Sequence, residues 1–378
     1  MRAIVIGGGV AGAAAALALR RTGAEVTVYE AYEDPAGDVG SFVSLATNGL
    51  RGLDALGVLP TVQAAGHEVP RMRMWSAGGR LIADVPRGRR SGDTLHSVTL
   101  MRGRLVAALR AAAVDAGARI VTGVRLTGLT ETGSGVVAAF GDGQRDSADL
   151  LVAADGIWST VRGLLDPAAP TAEYAGLYSV SGVSTMDGVK PGVFHLTFAR
   201  NGAFIHLGVG GREVWWSAQV AAPVPPPPGT PPPIAELYRD EAVPSAVIAA
   251  TTAVQPTVLM HVVDPVATWH SGRVVLIGDA AHPVGAGQGA SMAIEDAVVL
   301  AAALRDAPSV SAALQAFSGE RRPRITKLLG AAEDNRRAKK AGALKRRLQA
   351  AGMRLFVPLF YERATAWLYA YEPDGGLR

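Results

Sequence analysis

The sequence predicts a mixed α/β fold, a parallel-sheet body interleaved with an antiparallel sheet and closed by C-terminal helices. Three segments predict it, because each reads as an apolar strand, a glycine-bearing turn and a helix, the unit from which parallel sheets are built. The first joins the β-branched run Ala3 to Ile6 to an Ala/Leu-rich helix ending near Arg21, with a second strand at Glu25 to Tyr29. The second runs from Leu150 to Ala153 into Asp155-Gly156. The third runs from Val274 to Ile277 into Gly278-Asp279, a glycine-rich loop, and a helix whose apolar positions recur at helical period.

The first segment is the most specific. Gly7-Gly8-Gly9-Val10-Ala11-Gly12 is a G-x-G-x-x-G fingerprint with its strand, helix and second strand in place. Gly7 permits the tight turn, Gly9 lets backbone N–H groups approach a pyrophosphate, and Gly12 allows close packing of helix on strand. The second strand ends in Glu30, placed to accept from an adenosine ribose 2′-OH. A carboxylate there disfavours a 2′-phosphate, so NADP is not the expected occupant of this Rossmann-like body. Residues 3–19 are uncharged and imitate a signal peptide or short membrane span. The spaced glycines, the return of charge at Arg20-Arg21 and the strand ending in Glu30 have no place in that reading.

Further along, residues 71–97 look like strands of a separate sheet with a Gly78-Gly79 hairpin turn. Residues 98–165 return to helix, strands and the Asp-Gly turn, after which Ser159 is available as an N-cap. Alternation in VFHLTFAR, GAFIHLGVGG and EVWWSAQV predicts antiparallel strands, with one indole of Trp215-Trp216 on each face. Seven prolines in residues 225–233 predict a stiff polyproline II loop rather than a partner-recognition motif. From 273 onward the glycine-rich loop leads into helices, and no internal repeat is visible.

Composition narrows the class. A hydrophobic content of 49% with 19% charged residues suits a globular chain with a sizeable core, and a net charge of +4 does not point to nucleic acid. Without cysteine there are no disulfides, no thiolate chemistry and no cysteine metal site, and no metal is expected. A cytoplasmic location without stable membrane insertion is expected. The basic run Arg336-Arg337-Ala338-Lys339-Lys340, followed by Lys345-Arg346-Arg347, reads as a solvated face of a C-terminal helix.

Taken together, the fingerprint, the Asp-Gly segment ADGIWSTVR and the Gly-Asp segment GDAAHP…GQG…AIEDA resemble the single-component flavin-dependent aromatic hydroxylases, FAD monooxygenases with the p-hydroxybenzoate hydroxylase fold. Asn48 ahead of a Leu-rich helix, Arg102 with Leu105 and Leu109, and the tail WLYAYEPDG extend the likeness over most of the chain. It is weakest at roughly 165–265. The resemblance implies a discontinuous FAD-binding domain (1–70, 98–165 and 266–330), a substrate-binding domain (71–97 and 166–265) and a C-terminal helical segment (331–378).

It also implies chemistry: FAD reduced transiently by NADH or NADPH, then O2 giving a C4a-hydroperoxyflavin that hydroxylates or epoxidises an aromatic or polycyclic small molecule. Asp279 would hold ribityl hydroxyls, with Gly278, Gly287, Gly289 and Ala290 shaping the loop and aiming a helix N-terminus at the flavin. Arg102 would pair with the diphosphate or ribityl region, and Asp155 and Arg162 would lie near the pyrophosphate. On the sheet, Phe198, Trp215 and Gln219, with Pro283 from the loop, would meet substrate, and His195 or His206 would act as base on a phenol. His282 is expected in a structural or flavin-adjacent role. Three departures stand out: only Val284 to Gly287 separate Pro283 from Gln288, Ser291 replaces a common asparagine, and Ala31 stands where an arginine often follows Glu30. An oxidase or dehydrogenase on the same scaffold, or a flavin carrier without turnover, are the other function classes, and the chain is expected as a monomer or homodimer. No W-x-W-x-I-P segment supports a halogenase.

Overall fold

The computed structural model describes residues 1–33, 41–227, 232–284, 287–339 and 343–373; at 332–339, 343–351, 353, 355 and 358 it describes backbone only. The two basic runs, the middle of the proline-rich segment and Gly285-Ala286 of the shortened loop therefore lie outside the described side chains or residues.

The parallel body is a six-stranded sheet. Its strands run in the order His270–Ser271, Val274–Leu276, Leu150–Ala153, Arg2–Ile6, Glu25–Tyr29 and Arg119–Val121, parallel except at the two-residue edge strand. The three strands that lead into the glycine-bearing turns are immediate neighbours, so those turns converge at one edge of the sheet. Ligands of open parallel sheets bind at such carboxyl edges. The helix Val10–Arg21 is buried almost throughout because alanine dominates it, which lets it lie close to the sheet and to the helix Gly289–Asp306. Leu17 and Leu19, almost wholly shielded from solvent, each contribute roughly 1.5–3 kcal/mol by burial.

The second large sheet has eight strands. Thr251–Val254, Glu173–Thr185, Glu213–Ala221, Gly202–Gly210, Val193–Phe198, Arg71–Ser76 and Leu81–Pro86 follow in order, and Val258–Val262 also pairs with Glu173–Thr185. The hairpin at 71–86 forms as expected, with Gly79 at φ +75° in its turn. The sheet is mixed, not purely antiparallel: Val193–Phe198 runs parallel to Arg71–Ser76. The hairpin comes from far upstream in the chain, so a distant crossover and no tight turn sets their relative direction. Two small three-stranded sheets, Leu126–Glu131/Val136–Phe140/Arg145–Ala148 and Phe42–Leu45/Val98–Met101/His67–Glu68, complete the core.

Register assigns every side chain of the large sheet to a face. Ser181, Ser217, Ile205, Leu196 and Met74 stand in one cross-strand row; Gly182, Trp216, His206, His195 and Arg73 stand in the next, pointing the other way. The first face meets the small sheet of Phe42–Leu45, where Ser181 donates to Ser41 (3.1 Å) and Trp215 stacks on Phe42, and at its Phe198 end it meets the C-terminal helix Ala343–Tyr369. The second is closed by the short helices Ile234–Leu237 and Ala242–Ala249 and by Tyr238, whose hydroxyl reaches the carbonyls of Ala203 and Gln219.

Candidate active site

The glycine cradle is fixed by backbone crowding. Gly7 has φ +97°, and a Cβ there would lie 2.4 Å from the carbonyl oxygen of Ala154. A Cβ on Gly12 would lie 1.8 Å from the carbonyl oxygen of Gly7, so helix and turn touch through the missing side chain. Gly9 is the opposite case, with nothing within 4 Å of its Cβ position. It caps the helix Val10–Arg21 with no side-chain bond to the first-turn amides, which leaves donors and the positive helix end facing open space. Glu30 closes one side, buried, accepting from the N–H of Gly8 (2.6 Å) and Tyr32 (2.9 Å). Arg110 stands beside it: a Cβ on Gly8 would meet Arg110 at 3.3 Å and Glu30 at 3.4 Å. Sequence reading missed Arg110; it lies on the same helix as Arg102 and supplies a cation near the place where Ala31 does not.

Across the cleft, Gly278 adopts φ +56° and packs against Ala11. Asp279 next to it is exposed, yet surrounding protein raises its carboxyl above the usual carboxylate range, with His282 and Arg102 pulling it back. That combination marks the floor of a cleft. No described residue donates a hydrogen bond to it, and its Oδ1 lies 3.7 Å from the Cβ position of Gly289. There the helix Gly289–Asp306 begins after Gln288 without a side-chain cap, and Gly287 (φ +113°) leaves open space beside it. Ala290 is half-buried behind, and Arg102 is exposed at the start of its own helix. Pro283 lines a cavity of about 630 Å³ with His282, Trp269 and Arg322, between the loop and the helix Val310–Lys339, rather than the sheet face.

Behind the loop lies an ionic network that the sequence announced only as two adjacent carboxylates in an apolar helix. Arg321, fully buried, donates to Glu295 (2.5 Å) and Asp296 (2.7 Å). Asp296 also accepts from Gly278 N–H (2.8 Å) and bonds His282 Nε2 (2.6 Å), and these partners hold its carboxyl down at about 2 despite burial. Asn48 donates to Glu295 (2.7 Å) and reaches Gln288 (3.4 Å). Ser291 abuts Gly49, where a Cβ would lie 2.5 Å from its hydroxyl. His282 is thus a structural anchor of the Gly-Asp turn.

Asp155 works locally. It accepts from Ser159 (2.6 Å) and Val161 N–H (3.1 Å), while Ser159 caps the helix Thr160–Leu165 by accepting from Arg162 N–H. Burial raises the Asp155 carboxyl, and the Ser159 bond partly offsets it. Arg162 donates to the carbonyls of Ala280 (3.0 Å), Ile157 and Pro170, tying the Asp-Gly segment to the Gly-Asp turn.

On the large sheet, Phe198, Trp215 and Gln219 share the face that carries Ser181 and Ser217. Trp215 fills the seam between Phe42 and His67, with its N–H donating to Glu213 (2.6 Å). His195 and His206 do not join them. Their parity puts both on the opposite face, stacked on each other at 4.5 Å, with Trp75 donating to His195 (3.2 Å). Burial lowers His195 to about 4 and His206 to about 3. One residue of strand parity thus sets both histidines on the face opposite Phe198, Trp215 and Gln219.

The fold and the paired cradles define a flavoprotein with a parallel nucleotide-binding body. A family model described as FAD binding domain matches residues 1–332, and the chain belongs to that family. It is 31% identical over 336 residues to the aurachin C monooxygenase/isomerase of Stigmatella aurantiaca, covering 84% of each chain. It is 31% identical over 344 residues to the FAD-dependent urate hydroxylase of Klebsiella pneumoniae subsp. pneumoniae, covering 87% of this chain and 88% of the relative. The solved structure of Klebsiella pneumoniae HpxO complexed with FAD and uric acid matches with a TM-score of 0.85 at 25% identity, over 100% of this chain and 98% of that one. The protein is an FAD-dependent monooxygenase. The open helix N-termini at Gly9 and Gly289 and the unpartnered Asp279 fit a ligand with a diphosphate and a polyhydroxyl chain.

Proposed function

We propose that this enzyme hydroxylates a small aromatic molecule held between the glycine-rich loop and the sheet face that carries Phe198 and Gln219. The observation that carries the reading is the convergence of the unpartnered Asp279 carboxylate with the uncapped helix N-terminus at Gly289 on the floor of the cleft. Bound FAD, reduced by NADH or NADPH, supplies activation of O2, one atom entering the substrate and the other leaving as water.

The chain's own residues bind and orient. Gly7, Gly9 and Gly12 admit the diphosphate to backbone amides, Glu30 accepts from the adenosine ribose, and Arg102 neutralises phosphate or ribityl oxygen. Asp279 accepts from ribityl hydroxyls, and the Gly289 helix end favours negative charge beside it, an effect of about 1 kcal/mol or somewhat more when partly buried. Segments 1–70, 98–165 and 266–330 form the cofactor side; 71–97 and 166–265 form the substrate side. Names of the relatives support an aromatic substrate: urate for one, kynurenine for the Salinispora arenicola relative at 33% identity.

The test is NADH and NADPH oxidation in air by FAD-loaded protein across phenols, anilines and polycyclic aromatics, with peroxide counted and ¹⁸O2 traced. One compound should stimulate oxidation strongly, with little peroxide and one labelled oxygen in the product. Absence of reduction by either nicotinamide, despite bound FAD, would sink the reading.

A further inference from the structure

We propose that Arg87 recognises a carboxylate on the aromatic substrate, making the enzyme selective for aromatic acids. This deepens the hydroxylase reading and rests on it. Arg87 follows the edge strand Leu81–Pro86, and its guanidinium carbon lies 3.7 Å from the centroid of the Phe194 ring. An approach that close leaves room only for the flat face of the guanidinium, so its N–H donors, which lie in the plane, remain free to grip a planar oxyanion. Phe194 stands on the same face as Leu196 and Phe198, the face that meets Phe42 and the C-terminal helix.

The environment lacks a counter-ion. Among the described residues no carboxylate pairs with Arg87; the polar groups that face it are the hydroxyls of Tyr361 and Tyr369. Tyr361 donates to Tyr369, and burial pushes both phenols upward, so neither becomes an anion near neutral pH. Surrounding protein lowers Arg87 to about 10, which still leaves it cationic at neutral pH. The other deeply placed arginines are satisfied: Arg321 by Glu295 and Asp296, Arg162 by three carbonyls. A half-buried cation left without an anion carries a desolvation penalty that a ligand's charge would offset.

Position agrees with that role. The Gly88 carbonyl accepts from Thr47 N–H (2.8 Å), Thr47 donates to the Tyr369 carbonyl (3.0 Å), and Asn48 reaches Gln288 at the foot of the Gly289 helix. Arg87 therefore stands where the end of the sheet meets the C-terminal helix, beside the Thr47-Asn48 segment that leads on to Gln288, and the proposed substrate position lies along that path.

The experiment uses FAD-loaded wild type, Arg87→Gln and Arg87→Lys, titrated with benzoate against benzamide and quinoline-2-carboxylate against its carboxamide, read by the absorbance change of bound FAD. In the wild type each acid should bind at least tenfold tighter than its amide. Arg87→Gln should erase that preference, Arg87→Lys should restore part of it, and FAD affinity and Tm should match wild type. Acids that bind no tighter than amides, or a preference that survives in Arg87→Gln, overturn the proposal. The oxygen-tracing assay separates the two failures: labelled product without acid selectivity sinks only the role of Arg87, while acid selectivity without labelled product sinks only the hydroxylase reading.

Discussion

The glycine cradle and the eight-stranded sheet differ in what fixes the direction of a side chain. In the cradle, residues 7–12 are contiguous, and contacts within the turn decide where each group points: Gly12 meets Gly7, while Gly9 meets nothing. In the sheet, direction depends on pairing between strands far apart in sequence, and a shift of one residue exchanges the faces. Phe194 and His195 are neighbours in the chain, yet one packs with Leu207 and Trp215 and the other stacks on His206 on the opposite face. A contiguous motif therefore reports its own geometry, whereas an alternating strand reports two geometries and leaves the choice to the rest of the fold.

The sharpest way to break this comparison is inside the cradle. Gly12→Ala should be severe, because its Cβ would sit 1.8 Å from a backbone oxygen that cannot move aside. Overpacking of this kind costs about 1–3 kcal/mol and sometimes more, and FAD should not be retained. Gly9→Ala is the matched control, with φ −73° and an empty Cβ position. It should leave the Tm of the apoprotein unchanged while FAD affinity, followed by fluorescence, falls. Equal Tm losses in both variants would mean that Gly9 is structural and faces no ligand.

The same contrast explains what the sequence disclosed. The strands at 2–6 and 25–29, the helix at 10–21, the cap at Ser159 and the helix start at Gly289 were legible because each is set by neighbours within a few residues. The shared face of His195 and His206 was not, since alternation alone does not say which elements cover which face. Nor was the parallel join of Val193–Phe198 to Arg71–Ser76, or the meeting of Arg321 with Glu295 and Asp296 across a helix pair. Arg87 was invisible for a related reason: its meaning lies in the carboxylate that is not beside it.

The network behind the loop offers a break of comparable size. Arg321→Met removes the cation shared by Glu295 and Asp296, and breaking one side of a buried ion pair costs about 3–5 kcal/mol. Chemical denaturation should show that loss, with weaker FAD retention following because Gly278 hangs from Asp296. Asp279→Asn should separate binding from folding. Asp279 is exposed and bonded to no described group, so stability should hold while FAD affinity drops roughly 10- to 100-fold, the worth of one or two charge-assisted hydrogen bonds. A stability loss without an affinity loss would place Asp279 in the scaffold.

The smallest effect tests the sheet. His206 is held neutral by burial, lowered from an ordinary value near 6.5 to about 3. Below about pH 6.5 the unfolded chain takes up a proton that the folded chain refuses, so folding stability falls as pH drops from there toward 3, by up to about 1.4 kcal/mol per pH unit, and is flat above it. His206→Gln removes that linkage. Its stability, measured by urea unfolding at steps from pH 7 to pH 4.5, should decline less steeply than that of wild type, although the variant starts lower for the packing lost against His195 and Phe204. Substrate-stimulated NAD(P)H oxidation should keep its pH profile between 6 and 9, because this ring faces the short helices and not the flavin. A missing ionisation limb in the turnover profile, with unfolding unchanged, would instead return the histidine to the active face and overturn the parity on which the two sides of the sheet are distinguished.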